Sequence, residues 1–98
     1  LHAVDWARGH LPPESAVFCM QVSGALYFYT EFMIVRWDQV APDQIGRLFT
    51  ALQAERRPIY AMLYAFEQPS ALTRLGGRWR QIATIGQAAV WQLETVSP

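Results

Sequence analysis

The 98-residue sequence contains no lysine, a single cysteine and few charged residues of either sign. Eight arginines balance eight acidic residues, so the formal net charge is zero, and charged residues make up only 16% of the chain. Nucleic-acid-binding proteins normally carry a basic excess, so we expect no nucleic-acid partner. Cys19 cannot form a disulfide within the chain, which fits both a reducing compartment and a domain stabilised by its core alone.

Long hydrophobic runs are also missing, and no stretch of about 18 apolar residues predicts a membrane span. No secretory signal pattern is present either. Hydrophobic residues nevertheless make up 52% of the chain, and a domain of this size has too few charges to cover its surface. We therefore expect an exposed apolar patch that meets a partner. Because the chain opens at Leu1 within a helix-like pattern, we expect residues 1–98 to be one domain of a larger protein.

Catalytic and metal-binding motifs are absent as well. One cysteine and two histidines, His2 and His10, are too few for a zinc site. Cys19 lies within an apolar run far from either histidine, which argues against a nucleophile–base pair. No spacing joins two of the carboxylates that could reach the strand ends, namely Glu31, Asp38 and Glu67. We therefore predict no catalytic residue, no metal and no cofactor.

What the sequence does contain is a regular alternation of helix and strand patterns. Ala16–Gln21 is a continuous apolar run, typical of a strand covered on both faces. Met33–Trp37 and Ile59–Ala65 are the next two predicted strands. Gly86-Gln87 separates two further strand patterns with the spacing of an antiparallel hairpin. The hairpin strands are predicted at 79–85 and 88–94, and the helices at 1–10, 24–30, 42–57 and 69–75.

This order of elements, α-β-α-β-α-β-α-β-β, predicts a three-layer α/β/α Rossmann-like domain. We predict a mostly parallel five-stranded sheet in the order 2-1-3-4-5, ending in an antiparallel hairpin. Ligands of such sheets bind beyond the carboxyl ends of the strands, where the strand order reverses. That crevice would lie between Ser23-Gly24, after the first strand, and Glu67-Gln68, after the third.

The ligand contacts predicted for this crevice are Ser23, Gly24, Tyr27 and Glu67. Free backbone N–H groups at Ser23-Gly24 could hold a phosphate, because a helix begins there. Ser23 is also a good helix N-cap candidate, and the absence of a G-x-G-x-x-G motif and of a phosphate-loop lysine favours a simple capped turn. Both interpretations of this turn remain open.

Arg74, Arg78 and Arg80 bracket a glycine pair and Trp79. Three guanidinium groups around one turn could contact lipid phosphates, and tryptophan favours membrane interfaces. The alternative is an ordinary solvated loop. Together with Trp79, six other tryptophan and tyrosine residues could stack on sugars but more commonly fill cores and interfaces. They are Trp37, Trp91, Tyr27, Tyr29, Tyr60 and Tyr64.

Several short segments together resemble one known kind of domain. They are a first helix that contains a tryptophan, L-P-P-E-S-A-V at 11–17, S-G-A-L-Y-F-Y at 23–29, I-V-R-W-D at 34–38 and P-I-Y at 58–60. This set is similar to the C-terminal soluble domain of bacterial multi-pass membrane glycosyltransferases of the dolichyl-phosphate-mannose protein mannosyltransferase type. These enzymes transfer sugars from polyprenyl-phosphate donors on the outer side of the cytoplasmic membrane.

The resemblance implies a non-catalytic accessory domain on the extracytoplasmic, periplasmic side of the cytoplasmic membrane. Its partners would be the transmembrane portion of the parent and a polyprenyl-phosphate sugar or the membrane surface, and it would help seat the acceptor or the lipid-linked donor. The family's catalytic acids lie in a segment that this chain does not contain. Residues that match the family's domain, in a structural or accessory role, are Ser23, Gly24, Tyr27, Tyr29, Arg36 and Asp38.

Two other functions remain open alongside this one. The domain could be a small sugar-phosphate-binding module that uses the strand-end crevice. It could also be a dimerisation module whose aromatic residues bury against a second copy of the chain, so a homodimer is a further predicted partner.

Overall fold

Four helices and five strands alternate along residues 2–95, the part of the chain that the computed structural model describes. The strands are β1 (Ala16–Cys19), β2 (Met33–Arg36), β3 (Ile59–Tyr64), β4 (Arg78–Ile85) and β5 (Ala88–Thr95). The helices are α1 (His2–His10), α2 (Ser23–Tyr29), α3 (Pro42–Ala54) and α4 (Gln68–Leu75). This is the predicted order of elements, and most bounds differ from the prediction by one to three residues. Leu1, which the first predicted helix included, lies outside the described residues.

The strands form one mixed sheet in the order β2-β1-β3-β5-β4. Only β1 with β2 and β1 with β3 pair in parallel, whereas β3 with β5 and β4 with β5 are antiparallel. The predicted mostly parallel Rossmann-like sheet in the order 2-1-3-4-5 is therefore wrong. The terminal hairpin is present, but its second strand pairs with β3 and its first strand forms the edge.

The amino-acid content of the two hairpin strands explains this arrangement. β5 begins with the small or apolar residues Ala88, Ala89 and Val90, all of them buried, as an interior strand requires. β4 carries Arg78 and Arg80, both exposed, and its pairing with β5 has two irregularities. Charged side chains and bulges are common on edge strands because they discourage further pairing. Gly86 connects the strands with a φ of +60°, a value that glycine adopts without strain.

Hydrophobic clusters lie on the two faces of the sheet. Helices α1 and α2 cover one face, where Leu26 is buried with Val17 and Met62. Helices α3 and α4 cover the other face, where Phe49 is buried with Phe18 and the two rings meet edge-on at 5.2 Å. All four residues of β1 are buried, as its uninterrupted apolar run predicted. Within residues 2–95 every helix is too short or too polar to traverse a bilayer.

Helix α3 ends earlier than predicted, at Ala54 instead of Arg57. Arg56 has a φ of +58°, so the chain turns out of the helix at this residue. The Arg57 N–H donates to the Leu52 carbonyl, and the Arg56 N–H donates to the Gln53 carbonyl. These two bonds are the Schellman pattern, in which glycine normally occupies the position that Arg56 holds here.

Candidate functional site

The reversal of strand order on which the predicted crevice depends is present, because β1 lies between β2 and β3. We call the end of the sheet where β1, β2 and β3 finish the carboxyl edge, and the end where they begin the amino edge. None of the four predicted ligand contacts, Ser23, Gly24, Tyr27 and Glu67, lines either of the two carboxyl-edge cavities described below. Cavities there are lined instead by their sequence neighbours, among them Val22, Ala25 and Gln68.

Glu67 is buried, with only 2% of its surface exposed. Its Oε1 accepts a hydrogen bond of 2.7 Å from the Trp37 indole N–H, and its Oε2 accepts one of 3.1 Å from the Tyr64 backbone N–H. Its backbone carbonyl accepts the Ala71 N–H in the first turn of α4. The carboxylate therefore joins the ends of β2 and β3 to the start of α4, and it does not face a ligand in this conformation.

Ser23 and Gly24 begin the short helix α2, which has seven residues. The Ser23 hydroxyl donates to the Met20 carbonyl at 2.8 Å, which closes the turn after β1. Val22 takes the N-cap position, and no side chain caps the helix. Gly24 is exposed, with open space where a Cβ would lie. Both residues therefore form a simple turn into the helix, and neither lines the two carboxyl-edge cavities.

Other charged groups at the carboxyl edge also bond within the chain. The Arg36 guanidinium donates to both Asp38 carboxylate oxygens, at 2.9 and 2.7 Å. This bidentate pair raises the pKa of Arg36 and holds the pKa of Asp38 below its ordinary value. The Arg74 guanidinium donates twice to the Val40 carbonyl, at 3.2 and 2.8 Å, and ties α4 to the loop after β2.

The three arginines predicted to contact lipid phosphates have different surroundings. Arg74 bonds to the loop after β2. Arg80 donates to the Gln92 side chain at 3.1 Å and lies 3.9 Å from a Glu94 carboxylate oxygen. Arg78 is exposed at the first residue of β4. Two of the three guanidinium groups thus have partners within the chain.

Two cavities, of about 290 and 430 Å³, open at the carboxyl edge. Tyr64 and the hairpin residues Gly86 and Gln87 line both of them. Among the described residues, no arginine lines either cavity, so neither offers the guanidinium group that commonly binds phosphate.

A larger cavity, of about 490 Å³, lies at the amino edge between the ends of α1 and α2. We call it the amino-edge groove. Leu11 and Phe32 are buried in its floor, while Arg8 and Glu31 are exposed at its rim. Within residues 2–95 neither Arg8 nor Glu31 forms an ion pair. The remaining lining residues are Pro13, Phe28, Tyr29 and Thr30.

Next to this groove, α2 presents three consecutive aromatic rings to solvent. Tyr27 is 73% exposed, Phe28 80% and Tyr29 55%, and we call these residues the α2 aromatic surface. Only Leu26 of this helix is buried in the core. At ordinary aromatic side-chain areas, the exposed rings amount to roughly 400 Å², and apolar patches of this size are often functional. These exposed rings agree with the exposed apolar area that the sequence predicts, and a partner that covers it stays a prediction.

Sequence reasoning identified Tyr27 and Glu31 individually but did not find this surface. It assigned Tyr27 to the opposite edge of the sheet and treated Glu31 as one of several loop acids. A usable signal was available, because a seven-residue helix with three adjacent aromatic residues cannot bury all of them. No sequence pattern indicates that Arg8 lines the amino-edge groove, since its position there depends on how α1 packs beside α2.

The groups considered for nucleophilic or metal chemistry do not come together: His2 lines the smaller carboxyl-edge cavity, whereas Cys19 is buried within β1. Burial, together with the charge of Glu67, raises the pKa of the Cys19 thiol to about 12, so the thiol is a poor nucleophile at neutral pH. The His10 ring stacks on Trp6 at 4.4 Å and contacts the Trp6 carbonyl through Nδ1. Residues 2–95 contain no cluster of three or more side chains suited to a metal ion.

Comparisons of the chain with protein-family models, with curated proteins and with solved structures find no match. The function of the chain must therefore be inferred from its own residues and from the geometry of the two edges.

Proposed function

We propose that this chain is a non-catalytic accessory domain that packs its α2 aromatic surface against the membrane-embedded body of a larger protein. The observation that supports this most directly is the exposure of Tyr27, Phe28 and Tyr29 on a helix that buries only Leu26. Leaving three aromatic rings in water is unfavourable, and their burial against a partner would be a main source of binding free energy.

The size of the surface agrees with a docking role. A standard interface buries about 800 Å² on each partner, and the α2 aromatic surface supplies about half of that. Met33, 37% exposed at the start of the edge strand β2, extends the apolar area. The amino-edge groove lies beside this apolar area and is bordered by two of its rings, Phe28 and Tyr29. Charged residues make up only 16% of the chain, so few charges would have to be desolvated when this surface is buried.

The parent in this proposal is a membrane glycosyltransferase that uses a polyprenyl-phosphate sugar, with the domain on the extracytoplasmic side helping to seat the acceptor or lipid-linked donor. The support for this part is the resemblance of several short segments to the C-terminal soluble domain of such enzymes. One of these segments, residues 23–29, is the helix α2 itself. The proposed docking surface and the resemblance therefore involve the same residues.

Photo-crosslinking tests the docking role in cells of the source organism. A photoreactive phenylalanine analogue replaces Phe28 in one strain and Gln44 in another, within the complete gene product. Gln44 is the matched control, since it is also exposed but belongs to α3 on the other face of the sheet. We expect position 28, and not position 44, to crosslink to a membrane-embedded segment, either of another polypeptide or of the same one.

Other crosslinking results would contradict the proposal. Equal crosslinking from the two positions would mean that the α2 aromatic surface has no special contact. Crosslinks from position 28 only to the same residue region of a second copy would support dimerisation instead.

Reading the complete gene around the region that encodes these residues tests the class of parent. We expect several long hydrophobic spans and a pair of acidic residues after the first of them. A gene that encodes no such span would contradict the membrane glycosyltransferase. So would sugar transfer by the isolated chain from a polyprenyl-phosphate sugar, because the proposed role is non-catalytic.

A further inference from the structure

We propose that the amino-edge groove binds the zwitterionic headgroup of a membrane phospholipid, with Arg8 on the phosphate and Glu31 on the ammonium group. The inference rests on the proposed function in one respect, since that role brings this side of the domain to a bilayer. It adds a binding site and the chemistry of its ligand.

The two rim charges are the first argument. Arg8 and Glu31 line the same groove, have opposite charge, and form no ion pair within the part of the chain that the structure describes. A guanidinium group matches phosphate oxygens in a bidentate manner, and a carboxylate accepts hydrogen bonds from an ammonium group. A ligand that carries both charges would satisfy both side chains, whereas a simple anion or cation would satisfy only one.

The aromatic and apolar lining is the second argument. Phe28 and Tyr29 are exposed at the groove, and an ammonium group is attracted to the face of such rings. Leu11, Pro13 and Phe32 provide an apolar floor for the methylene groups that link the two charges. Tyrosine also favours the depth of lipid headgroups, because its ring is apolar and its hydroxyl is polar.

Charge balance and size favour a zwitterion over an anionic lipid. The rim has one positive and one negative side chain, and the carboxyl end of α1, which borders the groove, carries a partial negative charge. A headgroup with only a phosphate would meet Glu31 and this helix end without compensation. The cavity of about 490 Å³ lies within the usual range for small-ligand sites.

Vesicle co-sedimentation with charge-reversal variants tests the site. The probes are vesicles of phosphatidylethanolamine with phosphatidylcholine, vesicles of phosphatidylglycerol, and free phosphoethanolamine. The variants are Arg8→Glu, Glu31→Arg and the double exchange Arg8→Glu/Glu31→Arg. Arg47→Glu on α3 is the matched control because Arg47 is exposed and distant from the groove in the fold. Circular dichroism of every variant checks that the fold is retained.

We expect zwitterionic vesicles to bind about tenfold more tightly than phosphatidylglycerol vesicles, the difference produced by one well-satisfied charge. Each single reversal should weaken that binding about tenfold, and the double exchange should recover most of the loss because both charges are again present. Arg47→Glu should have no effect. Free phosphoethanolamine should bind more weakly than the vesicles, since it lacks the acyl chains and the neighbouring lipids of a bilayer surface.

Several results would overturn the site. One is binding that Arg8→Glu and Arg47→Glu weaken equally. Another is a preference for phosphatidylglycerol that disappears in salt, as expected for arginines elsewhere on the surface. Free phosphoethanolamine binding as tightly as vesicles would show that the ligand is not the lipid. A double exchange no better than the single reversals would show that the two charges do not act together.

The outcomes for the site and for the docking role can be told apart. Crosslinking from position 28 to a membrane-embedded segment without any vesicle binding would overturn the headgroup site and leave the docking role intact. Vesicle binding that depends on Arg8 and Glu31, without such a crosslink, would support the headgroup site and contradict the docking role.

Discussion

Two pairs of charged side chains, one pair at each edge of the sheet, have different surroundings. At the carboxyl edge, Glu67 and Arg74 are bonded within the chain, and Glu67 is almost completely buried. At the amino edge, Arg8 and Glu31 have no ion-pair partner within the described residues and lie beside exposed aromatic rings. Glu67 and Arg74, which the sequence suggested as site residues, therefore bond within the chain and stabilise the fold. Arg8 and Glu31 are instead exposed, and they line the same groove as two exposed aromatic rings.

The two glutamates offer the largest test of this difference. Glu67→Ala leaves the Trp37 indole N–H and the Tyr64 backbone N–H without acceptors, so we expect the free energy of unfolding to fall by about 3 kcal/mol. Glu31→Ala should change it by less than about 0.5 kcal/mol, because Glu31 is exposed. Urea denaturation of both variants measures the comparison. Equal effects would remove the distinction between the edges.

Alkaline pH tests the burial of the carboxyl edge. The Cys19 thiol has a pKa of about 12 in the folded chain against an ordinary value of 9.0, so above pH 9.0 the unfolded state ionises first. Its contribution to stability is therefore complete below pH 9.0 and is lost as the pH rises toward 12. Between about pH 8 and about pH 10.5 we expect a loss of about 2 kcal/mol from this group.

The matched variant for the pH experiment is Cys19→Ala. Because it lacks the thiol, its stability should decline less over the same interval, although its absolute stability is lower. Any remaining decline includes the contribution of Tyr60, whose pKa burial also raises. Identical declines in the two proteins would mean that Cys19 is accessible to water in the folded chain.

A pair of arginines gives the next effect in size. Arg74→Ala removes two hydrogen bonds to the Val40 carbonyl, and we expect a loss of about 1.5 kcal/mol in thermal or urea unfolding. Arg8→Ala should have an effect near zero on stability while weakening vesicle binding. If Arg8→Ala destabilised the chain as much as Arg74→Ala, Arg8 would have a structural partner within the chain. The guanidinium group would then not be available to bind the headgroup phosphate.

The smallest expected effect is a gain in stability. Arg56→Gly relieves a left-handed backbone conformation at the end of α3, and we expect the free energy of unfolding to rise by about 1 kcal/mol. Arg47→Gly, within the same helix, should lower it by about 1 kcal/mol because that position is helical. A loss of stability in both variants would show that the Arg56 side chain has a stabilising role that outweighs the strain.

The sequence was sufficient to predict the order of elements, because hydrophobic periodicity is a local property. Within the predicted helix 42–57, apolar residues recur at helical spacing at Ile45, Leu48, Phe49 and Leu52. Three of them are buried in α3, and Leu48 packs against the same cluster. The strand order failed because hairpin spacing pairs two strands without saying which of them joins the sheet. The arginines of β4 and the buried alanines of β5 indicate which strand is the edge strand. This becomes clear only when the two strands are compared with each other.

The candidate site was harder to predict because it depends on contacts between distant residues. Glu67 was expected to face a ligand, yet its carboxylate accepts a bond from Trp37, which lies 30 residues away in the chain. The amino-edge groove likewise combines Arg8 with residues of α2 and the loop before β2. Neither arrangement has a sequence spacing that would reveal it.

Hydrogen exchange of this chain, alone and with membranes of the source organism, tests the central claim most directly. We predict that membranes slow exchange in residues 27–33, at the end of α2 and the start of β2, and leave residues 64–68 unchanged. Slower exchange in residues 64–68 and 81–89, with residues 27–33 unaffected, would contradict the account. It would place the contact surface at the carboxyl edge instead.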